Sequence, residues 1–195
     1  MSRTACTAYL LVALLQGCLA TRAGQLPADE ILPDRSRSSG KSIALSIRVE
    51  RTVNGEDREL PDHVREEWIQ ATLAAYRDSG LFSEVRRGTS RKTDLQATVE
   101  VSDDVAGSQA FSYVSAMSWL LLPSRSRETL LVRTIYRDRD GGVLATYRAE
   151  ETVTTWYQLL LLPALPFAAH DGVVAGTIGD LSRATTRRAQ DKGIL

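Results

Sequence analysis

Ile43, Leu45, Ile47 and Val49 alternate with Ala44, Ser46, Arg48 and Glu50. That period of two puts every second side chain on one face of a half-buried strand. The period changes after Pro61, where Val64, Trp68, Ala71 and Ala75, flanked by Ile69, Leu73 and Tyr76, make a broad apolar face that runs to Gly80. This spacing predicts an amphipathic helix of about five turns, with Gly80 suited to a left-handed C-terminal position and Leu81 to the apolar contact that accompanies it. Leu95, Ala97, Val99 and Val101 alternate again and predict a second strand. A third from Thr129 to Arg137 and a fourth from Val143 to about Thr155 are joined by Asp138-Arg-Asp-Gly-Gly142, a turn composition that favours a hairpin. Val174, Ile178, Leu181 and Thr185 then recur at helical spacing in a segment from about Asp171 to Gln190. Gly172, Gly176 and Gly179 each lower its propensity by roughly 1 kcal/mol relative to Ala, and residues so small would let it lie close to a sheet.

The order strand, helix, strand, long insert, strand, strand, helix predicts an α+β fold. It is a two-layer domain, β-α-β-(insert)-β-β-α, with a mainly antiparallel sheet and two helices on one face. This single domain spans residues 43–195. Residues 18–42 carry Gly24, Pro27, Pro33 and Gly40 and a Ser/Arg-rich patch without periodicity, and read as a flexible tether.

Residues 1–17 have one positive charge, Arg3, an apolar run from Ala8 to Leu15, and then small residues, the order of a secretory signal peptide. The run is shorter than the ~20 residues a membrane-crossing helix takes. At its end Leu15-Gln-Gly-Cys18 resembles the lipobox of bacterial lipoproteins, with Gln16 standing where Ala, Ser or Thr is usual. The resemblance implies that Cys18 is the first residue of the mature chain, acylated and bound to a membrane. Leu19 in the next position implies sorting to the periplasmic leaflet of the outer membrane; the alternatives are the periplasmic face of the inner membrane or the soluble periplasm. Cys6 leaves with the signal and Cys18 is taken by lipid, so no thiol remains for a disulfide, a metal or a nucleophile.

Two long stretches lack any charged residue, 105–124 and 152–169. The first precedes the third strand and the second follows the fourth, so the hairpin brings both to the same end of the domain. Trp119, Leu120, Leu121 and Leu122 in one, and Trp156, Tyr157, Leu160, Leu161 and Phe167 in the other, are the candidate contacts with a membrane, an envelope protein or a second copy of the chain. The same residues could instead complete the core or line an apolar pocket. A membrane-inserting hairpin at 105–124 is a further reading with little alternation behind it.

Charge and motifs narrow the chemistry. Twenty-four Lys and Arg balance 24 Asp and Glu, which gives no basic surface for a phosphate backbone and no expectation of a nucleic-acid partner. Ser39-Gly-Lys-Ser42 lacks the earlier Gly of a phosphate-binding loop, since position 35 is Arg. Asp138-Arg-Asp-Gly141 lacks the Glu that would complete a calcium loop, since that place holds Ala149. His63 and His170 lie in different elements, the first read as a solvated first-turn residue and the second as preceding a helix capped by Asp171. Asp103 and Asp104 read as a loop after the second strand, and Arg183, Arg187, Arg188 and Lys192 as a solvated helix face. No catalytic residue, metal or cofactor is expected.

The first strand, the helix ending in Asp78-Ser-Gly-Leu-Phe-Ser-Glu-Val85 and the Asp94-Leu-Gln-Ala97 strand resemble small periplasmic lipoproteins of Gram-negative bacteria, some of them similar to the periplasmic domain of the curli-export lipoprotein. That resemblance implies a lipid-anchored, non-catalytic scaffold or assembly accessory of the cell envelope. The alternative is a carrier holding a lipid or small apolar ligand between the Leu-rich segments.

Overall fold

A computed structural model describes residues 18–23, 26–34, 36, 40–107, 113, 117–118, 124–157 and 170–195. In chain order they form β1 (Cys18–Ala23), α1 (Ala28–Ile31), β2 (Ser42–Val53), β3 (Glu56–Asp57), α2 (Asp62–Asp78), β4 (Glu84–Arg87), β5 (Leu95–Gly107), β6 (Ser124–Arg137), β7 (Val143–Tyr157) and α3 (His170–Asp191). The fold is α+β. Among the described residues one sheet runs in the order β1, β7, β6, β5, β2, β3, with β4 sharing the outer edge of β2. The pairs of β2 with β4 and β5 are parallel and the others antiparallel.

The parallel pair β2 and β5 follows from the helix between them, since strands joined by a crossover helix run the same way. In α2 the predicted apolar face buries Trp68, Ile69, Leu73, Ala75 and Tyr76. Its end is stopped as the sequence predicts. Gly80 takes φ +70°, Leu81 beyond it is buried, and the Ser79 hydroxyl accepts from the Leu81 amide at 3.2 Å. The α2 and α3 helices pack on each other and on the same face of the sheet, over a core that includes Ile43, Leu45, Val99, Val101, Leu130, Val132, Ile178 and Leu181. Burying one such side chain contributes about 1.5–3 kcal/mol.

A layer of hydroxyl groups crosses this core. Tyr76 Oη lies 3.3 Å from Thr134 Oγ1 and 3.2 Å from Tyr136 Oη, and Thr134 Oγ1 lies 3.0 Å from Thr185 Oγ1. On α3, Ser182 and Thr186 donate to carbonyls one turn back, at 2.8 and 2.9 Å, which satisfies polar groups buried on a helix face.

The β6–β7 hairpin closes as expected. Asp138 Oδ1 accepts from the Asp140 and Gly142 amides at 3.0 and 2.7 Å, and Gly141 adopts φ +93°. The carboxylate that opens the calcium-like sequence is thus used by its own turn.

Besides the short strands β3 and β4, which the sequence reading did not predict, three features differ from it. Residues 18–34, read as part of a tether, contribute β1, which pairs with β7 along its whole length, and α1, which rests on α3. The Gln190 side chain clamps the far end of this segment, accepting from the Asp34 amide at 2.9 Å and donating to the Asp34 carbonyl at 2.7 Å. Second, β5 continues through Asp103 and Asp104 to Gly107 and β6 begins at Ser124, because cross-strand pairing carries both strands past the end of their apolar alternation. Third, the α3 glycines do not bring the helix close to the sheet: Gly172 and Gly176 are exposed, and a Cβ on Gly179 would meet the Ala71 carbonyl of α2 at 3.9 Å.

Candidate functional site

The strand registers gather several chain ends at one pole of the sheet. Tyr157 of β7 stands opposite both Cys18 of β1 and Ser124 of β6, and one residue inward Trp156 stands opposite Leu19 and Arg125. Gly107 of β5 pairs with Ser126 and its amide donates to Asn54 Oδ1 at 3.1 Å, which brings the Asn54-Gly55 turn to the same end. The hairpin turn 138–142 closes the opposite end.

Trp156 and Tyr157 are half-buried. The Arg125 guanidinium lies 5.9 Å from the centre of the Trp156 ring, within cation–π range, and the Tyr157 hydroxyl lies 3.4 Å from Ser126 Oγ. Arg125 and Arg127 are exposed on the sheet face that the helices leave uncovered. In the apolar stretch 105–124, Tyr113 and Met117 are 73% and 74% exposed. The other candidates, Trp119, Leu120, Leu121, Leu122, Leu160, Leu161 and Phe167, lie outside the described residues, as do residues 1–17. Cys18 is described through its backbone.

Beneath the pole, on the helix-covered face, lies an ionic layer that the sequence reading missed. Asp103, Glu128 and Glu151, one from each of three adjacent strands, are 2%, 2% and 3% exposed. Arg51 Nε approaches Asp103 Oδ2 at 3.2 Å, and its Nη2 lies 4.0 Å from Glu128. His170, the first residue of α3, sets Nε2 at 2.9 and 3.0 Å from the two Glu128 oxygens; it closes this layer, and the side chain of Asp171, expected as the cap, lies outside the described residues. Arg22 of β1 donates from Nε and Nη2 to the two oxygens of Glu151, each at 2.6 Å, and from Nη1 to Asp180 of α3 at 2.6 Å. His63 is exposed in the first turn of α2.

The electrostatics follow from burial. The Asp103 carboxyl is pushed up to about 7, first by desolvation and then by the Glu128 carboxylate, while Arg51 and His170 pull the other way. Neither of its oxygens has a hydrogen-bond partner among the described residues, so little offsets the desolvation that disfavours the charged form. The hydrogen bonds to Glu151 raise Arg22 above its ordinary value. Parity along the strands held the signal for this layer. Leu95, Ala97, Val99 and Val101 face the core, so a strand continued by two residues must turn Asp103 inward, and the same count places Glu128 below Leu130 and Glu151 between Ala149 and Val153.

A cleft of about 540 Å³ opens beside the layer, lined by residues that include Arg51, Arg58, Arg65, Asp57, Glu59 and Asp104. Its charges are mixed. Among the described residues no group of His, Cys, Asp and Glu is arranged to hold a metal ion, and no helix is long and apolar enough to cross a membrane.

No family model and no curated protein matches the chain. Among solved structures it is similar to a neuraminyllactose-binding hemagglutinin homolog from Helicobacter pylori, at 7% identity and a TM-score of 0.43, over 89% of this chain and 91% of that one. It is also similar to the PelC dodecamer from Paraburkholderia phytofirmans, at 12% identity and a TM-score of 0.37, over 87% of this chain and 97% of that one. A minor lipoprotein from Acinetobacter baumannii is similar at 11% identity and a TM-score of 0.34, over 78% of this chain and 94% of that one.

Proposed function

We propose that the chain is a lipid-anchored periplasmic lipoprotein that acts without catalysis, as a scaffold or assembly accessory of the cell envelope, through the pole that gathers Cys18, Trp156 and Tyr157. The observation that carries this reading is the register of Cys18 opposite Tyr157. It joins the residue at the end of the lipobox-like sequence to the strand ends from which both uncharged stretches depart. Acyl chains on Cys18 would hold the domain at a bilayer, since each buried CH₂ contributes about 0.8 kcal/mol. The ionic layer is consistent with a structural role: its carboxylates Asp103, Glu128 and Glu151 are buried and engage Arg51, His170 and Arg22 across neighbouring elements. Leu19 after the anchor favours the periplasmic leaflet of the outer membrane.

Mass spectrometry of the amino-terminal peptide from full-length protein expressed in a Gram-negative host tests the anchor. The expected product begins at Cys18 and carries thioether-linked diacylglycerol and an amide-linked acyl chain, and Cys18→Ser should leave residues 1–17 attached. An unmodified amino terminus, or release of the native product into the medium, overturns the reading. Replacing Trp119 and Trp156 together by Ser should weaken membrane or partner association at unchanged thermal stability; a collapse in Tm would return both residues to the core.

A further inference from the structure

We propose that the pole rests directly on the lipid surface, with no slack between anchor and domain, so that the sheet stands on the bilayer with its 138–142 hairpin turn pointing away. The inference rests on the reading that Cys18 carries lipid, and adds to it an orientation and a contact surface.

The argument begins with chain length. A free tether of 24 residues would span roughly 25–30 Å as a random coil and let the domain tumble. Here the residue that would be acylated is itself the first residue of β1, held to β7 over six residue pairs. The Arg22 ion pairs with Glu151 and Asp180 lock that strand from the side. Acyl chains on Cys18 therefore leave from the sheet, within one residue of Trp156. Strand geometry sets the other end: β6 runs 14 residues from Ser124 to Arg137, so at ~3.4 Å per residue the distal turn lies roughly 45 Å from the surface.

The chemistry of this corner suits an interface. Trp156 has a ring partly open to solvent beside the Arg125 guanidinium, and Arg127 follows on the same exposed face. Aromatic rings settle where apolar and wet surroundings meet, and guanidinium groups bind headgroup phosphates. An acylated chain brings a bilayer to this surface at an effective concentration that a diffusing protein partner does not reach.

The test uses the full-length, lipidated protein reconstituted into protein-free vesicles of phosphatidylethanolamine and phosphatidylglycerol. Once Cys18 is acylated and residues 1–17 are removed, no other cysteine remains, so one introduced thiol carries one fluorophore. Gly107→Cys labels the pole, where an added Cβ meets nothing closer than 3.8 Å, and Val143→Cys labels the distal end, where the side chain is exposed. Lipid-borne nitroxide should quench the first label at least several-fold more than the second. Equal quenching on a chain whose acylation is confirmed by mass overturns the orientation and leaves the anchor standing. An unacylated Cys18 overturns both. A label at 107 shielded only in native membranes, and not in these vesicles, points to a protein partner and overturns the bilayer contact.

Discussion

Arg22 grips both oxygens of Glu151, at 2.6 Å each, across the β1–β7 pair. Glu151 is buried, and Arg22 also reaches Asp180 of α3. One guanidinium thus ties the first described strand to the sheet and to the last helix.

Replacing Arg22 by Met tests this directly, because it leaves the Glu151 carboxylate buried without its partner. Breaking such a pair costs about 3–5 kcal/mol. Urea unfolding should show a loss of that size, and limited proteolysis should begin to cut within residues 18–34. The double variant Arg22→Met with Glu151→Met removes the stranded charge and should recover much of the loss. A single variant as stable as the parent would mean that the strand is held by its backbone alone.

Asp103 predicts a pH dependence with a definite sign. Its folded-state pKa of about 7 stands above the ordinary 3.8. The stability linked to this group is therefore fully present below pH 4 and lost as pH rises through 7, because the unfolded chain ionises first. The shift corresponds to up to about 4 kcal/mol. Asp103→Asn cannot ionise, so the variant should gain on the parent progressively between pH 4 and pH 8 in urea unfolding. Stability curves that run parallel across this range would show that Asp103 keeps an ordinary pKa. The charged groups facing it, Glu128, Arg51, His170 and Asp104, are the same in both proteins, so the difference reports Asp103.

The long strands and helices of the domain were legible because each carries its own period, two in β2 and β5 and three to four in α2 and α3, whereas β3 and β4, of two and four residues, are too short to show one. What escaped was information held between segments. In residues 18–34 the buried apolar side chains include Ala20 and Ile31, too little to announce an element. Their order comes from pairing with a strand more than 120 residues away, from Arg22, and from the Gln190 amide that reads the Asp34 backbone. Asp103 was missed for the opposite reason. Its parity was visible, but two adjacent carboxylates suggest a loop, and only the Arg51 and His170 groups brought in by β2 and α3 make an inward acid tolerable there.

The hydroxyl layer between α2, β6 and α3 should matter more than its size suggests, because each of its members is buried. Thr134→Val keeps the shape but removes the oxygen shared with Tyr76 and Thr185, and Tyr136→Phe removes the one shared with Tyr76 and Thr186. Each should cost about 1–3 kcal/mol in denaturant unfolding, the range for leaving a buried polar partner unsatisfied. Burial holds the Tyr136 phenol well above its ordinary pKa. An alkaline absorbance titration should therefore show one tyrosine ionising only as the protein unfolds, and Tyr136→Phe should remove it. A Phe variant that keeps the late step assigns it to another tyrosine.

The glycines of α3 give the remaining prediction, and it runs toward greater stability. Gly176 lies inside a 22-residue helix, is exposed, and an added Cβ would have nothing within 4 Å. Its backbone is not among the positive-φ glycines, so Ala fits without strain and loses less conformational freedom on folding. Gly176→Ala should raise stability by about 0.8–1 kcal/mol, read as a higher Tm with an unchanged urea m-value. Gly179 is the internal control. There the new methyl would touch the Ala71 carbonyl of α2 at 3.9 Å and Arg183 at 3.8 Å, so the propensity gain is joined by a packing contact and the helix–helix seam decides the net effect. If Gly176→Ala is neutral or destabilising, α3 is not a continuous helix through this turn, and the position of His170 over Glu128, which depends on that helix, would need revision.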